Sequence, residues 1–274
     1  MITKQLPNYL NKHNYEKMSH TPIWINDARF TLADAEFLMM HNPEDLNRSQ
    51  TTEERFLLGK TRKLVTNTVA MRDSENIRQI VDLGIYKGGS VALYALLFEP
   101  LKLVGIEYVK EPVQPLENFI TKRGLQEKIR TYYGVNQSDS KRLRKIVDDE
   151  FNGVMLDLVV DDASHYYAET KSSFETLFPM LRPGGIYIIE DWGWAHWAGD
   201  EWQKSKYFPA KSPSLTNLLI EIAMLSASVP DLVSSLQVEH SVITVRRGSA
   251  QFEQGEFKLE QKYLNRGNKF NPVM

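Results

Sequence analysis

The chain has 274 residues, a formal net charge of -2 and a pI near 6.3, so no basic surface able to recruit nucleic acid is expected. It contains no cysteine, which excludes disulfides, thiolate metal sites and cysteine nucleophiles and agrees with a reducing cytoplasm. At this length one main α/β domain with additions at either end is expected.

The opening stretch MITKQLPNYLNKHNYEKM has no continuous apolar run and does not read as a secretory signal. Residues 1–50 are polar and mixed, punctuated by Pro7, Pro22 and Pro43. Within them FTLADAEFLMM (30–40) is predicted as one amphipathic helix. A second is predicted over SQTTEERFLLGKTRKLVTNTVAMR (49–72), with Phe56, Leu57, Leu64, Val65 and Val69 at helical spacing and Thr52 as its cap. A helical N-terminal extension is therefore expected over residues 1–75.

From residue 79 the pattern changes. QIVDLG (79–84), KLVGIEY (102–108), IRTYYG (129–134), LDLVVDD (156–162) and GIYIIED (185–191) are rich in β-branched residues. Between them SVALYALLF, PLENFITKRG, SKRLRKIVDDEF and AETKSSFETLFPML carry helix-like periodicity. Near-continuous apolar strands alternating with helices predict a mostly parallel sheet covered on both faces. After the helix PSLTNLLIEIAMLSA come SLQVEHS (235–241) and VITVRRG (242–248), read as a terminal antiparallel pair. The apolar run LLIEIAMLSASV is too short to span a bilayer and carries Glu221, so no membrane partner is expected. The main domain is expected over 76–250 and a tail over 251–274, the tail being either disordered or closed over a neighbouring molecule.

The first of these strands leads into DLGIYKGGS (82–90), where Gly84, Gly88 and Gly89 allow a sharp turn and a close backbone approach to a ligand. The spacing is not G-x-G-x-x-G, which better fits a ligand without phosphates than a dinucleotide. A plain tight turn is the alternative. The second strand ends in Glu107, 25 residues after Asp82; an acid there can accept both hydroxyl hydrogens of a ribose, or it can be a solvated strand end.

The fourth strand ends at Asp161-Asp162 and the fifth at Glu190-Asp191. If these strands are neighbours, about 4.8 Å apart, four carboxylates crowd one crevice, which is costly unless a proton or a cation joins them. Oxygen donors of this kind suit Mg²⁺, with Mn²⁺ as the alternative; otherwise one acid caps a helix and the rest are solvated. His165 follows three residues after Asp162, where a neighbouring cation keeps an imidazole neutral and able to take a proton.

Three features together resemble the class I S-adenosylmethionine-dependent methyltransferases: D-x-G-x-x-x-G-G-S, an acid at the next strand end, and five parallel strands closing on an antiparallel pair. More specifically, DDASHYYAETKSSFETLFPMLRPGGIYIIEDW is similar to the metal-dependent sugar O-methyltransferases of the mycinamicin and macrocin type and to the cephalosporin hydroxylase–associated family. The resemblance covers about residues 79–192 and not residues 1–50. It implies a Rossmann-like fold with a seven-stranded sheet, to which the periodicity of residues 1–75 adds N-terminal helices. It implies S-adenosylmethionine bound by Asp82, Gly84, Tyr86, Gly88, Ser90 and Glu107, with Gln137, Ser138, Asp139 and Asp161 as further contacts. It also implies Mg²⁺ held by Asp162, Glu190 and Asp191, with His165 as general base.

After Asp191, WGWAHWAGDEWQKSKYFPAKSP places Trp192, Trp194, Trp197 and Trp202 within eleven residues. Aromatic faces stack on sugar rings, so the loop reads as an acceptor wall or lid, or else as packing for a long loop or a subunit contact. His196 ranks below His165 as a base, and His240 is expected to be structural in a strand. The reading that follows is an O-methyltransferase of antibiotic or other natural-product biosynthesis, acting on a small glycosylated hydroxyl acceptor and compatible with a homo-oligomer. A catechol or polyketide hydroxyl, a non-catalytic S-adenosylmethionine-binding partner of a biosynthetic complex, and an NAD-dependent oxidoreductase are the alternatives.

Overall fold

The structure is a computed structural model that describes residues 21–39, 51–204, 206, 212–252 and 256–273. Pro7, Pro43 and the opening stretch considered as a signal lie outside those residues, as do residues 207–211 of the tryptophan-rich loop. The chain divides into two compact units, Met1–Glu75 with Lys87–Glu99, and Asn76–Tyr86 with Pro100–Met274.

In the first unit four strands form one sheet in the order β1 (Ile23–Asn26), β2 (Arg29–Leu32), β3 (Ala35–Met39), β4 (Arg55–Leu58). The single helix expected over 30–40 is instead the β2–β3 hairpin. Phe30 and Leu32 on one strand and Ala35 and Phe37 on the next are buried at alternate positions, the period of a strand rather than a helix. Ala33 turns the chain at φ 53°, and the paired Phe30 and Phe37 rings stack at 4.9 Å. The helix expected over 49–72 likewise divides into β4 and α1 (Arg62–Ser74). Gly59 and Lys60 separate them, and Phe56, Leu57 and Leu58 are buried as a parallel neighbour of β3. Thr52 holds a turn before β4 through Arg55 N–H at 3.1 Å, while the cap of α1 is Thr61, whose hydroxyl accepts from Leu64 N–H at 3.1 Å. Helix α2 (Gly89–Phe98) groups with this unit; a Cβ on Gly89 would stand 2.2 Å from the Leu57 carbonyl oxygen.

The second unit is built on β5 (Gln79–Leu83), β6 (Lys102–Ile106), α3 (Gln114–Lys122), β7 (Ile129–Tyr132), α4 (Ser140–Phe151), β8 (Leu156–Asp161), α5 (Tyr167–Leu177) and β9 (Leu181–Glu190). These are followed by the short α6 (Asp200–Gln203), α7 (Thr216–Ser228), β10 (Val233–Val238) and β11 (Val242–Arg247). Its sheet has seven strands in the order β10-β11-β9-β8-β5-β6-β7. The five from β9 to β7 are parallel to one another, and β11 and β10 complete the sheet antiparallel, as expected. Strands β8 and β9 are apolar because both sheet faces are covered; Val159, Phe174, Phe178, Tyr187, Leu218, Ile222 and Ile243 belong to one continuous core.

The described part of the tail packs on its own chain. Tyr263 donates to Glu221 at 3.0 Å, and the Asn217 side-chain amide pairs with both backbone groups of Val273 at 2.8 Å. Among the described residues no helix is long and apolar enough to cross a membrane.

Candidate active site

From β5 the chain runs outward through β6 to β7, then returns to lay β8 and β9 on the other side of β5. The carboxyl ends of β5 and β8 therefore flank the switch in strand order, where open α/β sheets leave a crevice. The two ends meet closely there. Asp162 N–H donates to the Leu83 carbonyl at 2.9 Å, and Gly84, at φ +99°, passes so near that a Cβ would lie 2.1 Å from the Asp162 carbonyl oxygen. Glycine at 84 is thus a steric requirement of the junction.

Strand alternation sends the two aspartates of VVDD in different directions. Asp161, 2% exposed, turns inward and accepts from Gln137 Nε2 at 3.1 Å, Tyr187 OH at 3.1 Å and Ser173 Oγ. Burial pushes its carboxyl up to about 6, against these hydrogen bonds, which pull it down. Asp162 instead joins His165 and Asp191. Each offers one ligand atom, the three atoms all lie within 4.8 Å of one another, and all three residues are half-buried. His165 Nε2 is 4.0 Å from Asp162 Oδ1. An octahedral Mg²⁺ or Mn²⁺ with bonds near 2.1 Å sets neighbouring donors about 3 Å apart and opposite ones about 4.2 Å apart. Asp162 and Asp191 supply the hard carboxylate donors such an ion prefers, and His165 stands beside them.

His165 and Asp191 both adopt left-handed backbone, at φ 58° and 52°, at a cost of about 1–3 kcal/mol each. Two strained non-glycine residues in one three-residue cluster show that the surrounding structure fixes them. Glu190, the sequence's further metal candidate, is buried at the end of β9 and is not one of the three grouped residues.

At the end of β6, Glu107 Oε2 accepts from Tyr86 N–H at 2.8 Å and Oε1 from Val109 N–H at 2.9 Å. Each carboxylate oxygen has a second lone pair, so the oriented group can still accept two hydroxyls of a vicinal diol. Beside it Tyr108 is 72% exposed. Asp82 is buried within β5. Gly88, at φ 87°, and the buried Ser90 open α2 and belong to the first unit. Asp139 caps α4 through Arg142 N–H at 3.1 Å, and Ser138 is turned onto Asn136. Gln137, buried, links Asp161 to Ser164 N–H, which its Oε1 accepts at 2.8 Å.

Much of the tryptophan-rich loop is packing. Trp192 Nε1–H donates to the Glu239 carbonyl at 2.8 Å, and Trp194, 5% exposed, donates to the His165 carbonyl at 3.0 Å. Trp197 stacks on His240 at 5.5 Å and meets Trp202 edge-on at 4.7 Å. His240 lies in the turn between β10 and β11 rather than within a strand. His196 Nε2 is engaged with Thr216 Oγ1 at 2.6 Å.

Residues 81–192, which hold the switch point and all three clustered groups, match a family model described as a methyltransferase domain. Over 137 residues the chain is 33% identical to the mycinamicin VI 2''-O-methyltransferase of Micromonospora griseorubida, covering 47% of this chain and 31% of that protein. It is also 33% identical over 105 residues to 8-demethyl-8-(2-methoxy-alpha-L-rhamnosyl)-tetracenomycin-C 3'-O-methyltransferase of Streptomyces olivaceus, covering 38% of this chain and 23% of that one. The matched part of the chain thus spans less than a third of the length of these curated relatives. In fold, this chain resembles the SAH-bound methyltransferase of Podospora anserina. That likeness has a TM-score of 0.52 at 15% identity, over 90% of this chain and 99% of the other.

Proposed function

We propose that this chain transfers the methyl group of S-adenosylmethionine to a hydroxyl of a small natural-product acceptor, a sugar hydroxyl above all, with the help of a divalent cation. The observation that carries the reading is the meeting of Asp162, His165 and Asp191 at the carboxyl ends of β8 and β9, next to the Gly84 junction. The sugar acceptor is supported by two relatives at 33% identity, whose names specify 2''-O-methylation of mycinamicin VI and 3'-O-methylation of a rhamnosyl tetracenomycin.

In this reading Glu107 receives the ribose hydroxyls of the cofactor, and the β5 turn through Gly84 and Tyr86 lies against its amino-acid end. Asp162 and Asp191 hold the cation, Mg²⁺ or Mn²⁺, with Glu190 as a third carboxylate. When bound, the cation supplies Lewis acidity to the acceptor hydroxyl. His165 Nε2 takes the hydroxyl proton as the new C–O bond forms and the S–CH₃ bond breaks, leaving S-adenosylhomocysteine. Holding both reactants at one strand-end crevice supplies alignment, a large share of the barrier in a bimolecular transfer.

The test is calorimetric titration of wild type and Asp162→Ala, first with S-adenosylmethionine and then with Mg²⁺ or Mn²⁺. Cofactor binding in both proteins, with metal heat lost only in the variant, is the expected result and opens a screen of glycosylated acceptors. A protein that does not bind S-adenosylmethionine ends the methyltransferase reading.

A further inference from the structure

The left-handed backbone at His165 is held from both sides. On the preceding side Gln137 Oε1 accepts the Ser164 N–H at 2.8 Å. The same amide is fixed by donating to Asp161 at 3.1 Å and to Ser173 Oγ at 3.2 Å. On the following side the Trp194 indole donates to the carbonyl of His165 itself at 3.0 Å. Gln137 and Trp194 are 6% and 5% exposed, so water competes little for these bonds and their loss leaves buried groups unsatisfied. The two clamping residues come from different elements: Gln137 follows β7, and Trp194 stands three residues after Asp191. Trp194 therefore ties the segment carrying Asp191 to the one carrying Asp162 and His165.

We propose that Gln137 and Trp194 are positioning residues that fix His165, and through it the spacing of the Asp162–His165–Asp191 trio. The proposal rests on the assignment of that trio as a cation and proton-transfer site. Neither residue touches the reacting atoms; each acts on the backbone of the residue that does. Groups in this relation to a metal site typically change its affinity ten- to a hundredfold.

The experiment uses the full chain without cofactor or acceptor. Mn²⁺ binding is followed by electron paramagnetic resonance, and the imidazole signals of the metal-free protein by NMR, with His165 assigned from His165→Gln. Trp194→Phe keeps the buried ring and removes the N–H, while Gln137→Met keeps the length and removes the hydrogen bonds to Ser164, Asp161 and Ser173. Trp192→Phe removes the neighbouring indole N–H, which reaches Glu239 instead, and is the control. The expected result is a shifted or broadened His165 signal and a Mn²⁺ dissociation constant raised roughly ten- to a hundredfold in Trp194→Phe and Gln137→Met, with Trp192→Phe like wild type. Unchanged His165 signals and unchanged Mn²⁺ affinity in both variants, each melting within a few degrees of wild type, would overturn the clamp. Should one variant fail to fold, the other decides. Wild type that holds no Mn²⁺, with His165 signals that still move in both variants, would leave the clamp standing and remove the cation reading beneath it.

Discussion

Gly84 and Asp162 touch through their backbones: a methyl group on the glycine would stand 2.1 Å from the aspartate's carbonyl oxygen, at a φ of +99° that L-residues rarely adopt. Gly84→Ala must therefore push β5 and β8 apart at the carboxyl end or strain the turn beyond recovery. A loss of about 3–5 kcal/mol is expected, read as a lower urea midpoint with an unchanged slope. A loss below about 1 kcal/mol would show that the junction relaxes and that glycine there is not sterically required.

Glu107 is oriented by two backbone N–H groups before any ligand arrives. Truncation to alanine leaves Tyr86 and Val109 N–H without that acceptor and removes the proposed ribose contact. S-adenosylmethionine affinity is expected to fall by about 1.5–3 kcal/mol, or ten- to a hundredfold and somewhat beyond, when measured by calorimetry. Mn²⁺ affinity should stay at the wild-type value. Loss of both ligands together would contradict the assignment of the two to separate residue sets.

Glu221, 1% exposed, accepts from Tyr167, Lys171 and Tyr263 at 2.7, 2.7 and 3.0 Å. For Lys171, burial alone lowers the pKa, but the hydrogen bond and charge of Glu221 outweigh it and the net shift is upward. Burial first, then Glu221, push the Tyr167 phenol up; for Tyr263 the order is burial, then the Glu221 charge and hydrogen bond. All three groups hold their protons more tightly when folded. Their stabilisation is complete below their unfolded values of about 10 and is lost as pH rises through the raised folded ones. Melting temperature should drop steeply above about pH 10 in wild type. Glu221→Gln should flatten that decline while costing roughly 2–3 kcal/mol at neutral pH. An equal alkaline slope in both proteins would rule Glu221 out as its source.

The parallel sheet and its antiparallel ending were legible because each strand is a short β-branched run bounded by turn residues. Helix α4 was legible to the residue, since its periodicity is strong; that Asp139 caps it emerged only from the structure. The N-terminal sheet was not. Phe30, Leu32, Phe37 and Leu38 satisfy a helical spacing nearly as well as a strand alternation over so short a window, and only the pairing of Phe30 with Phe37 separates them. At the candidate site, Asp162 and Asp191 could be placed together from strand ends alone. The inward turn of Asp161 toward Gln137 and Tyr187 could not, because a one-residue change of face is decided by packing across the sheet. For Trp194 the sequence left an acceptor wall, a lid, loop packing and a subunit contact all open; that its N–H reaches His165 depends on loop geometry that no spacing rule encodes.

Strand β11 enters the sheet between β9 and β10, pairing Val242 with Glu190 and Val245 with Tyr187. During synthesis β9, with its Ile186-Tyr187-Ile188-Ile189 run, emerges some fifty residues before the strand that covers its outer edge. Until β11 arrives, that edge is an apolar template open to any other extended chain. β10, made earlier, cannot shield it, since β10 reaches the sheet only through β11. Shortened versions of the protein that stop before residue 242 should therefore aggregate rather than merely lose activity.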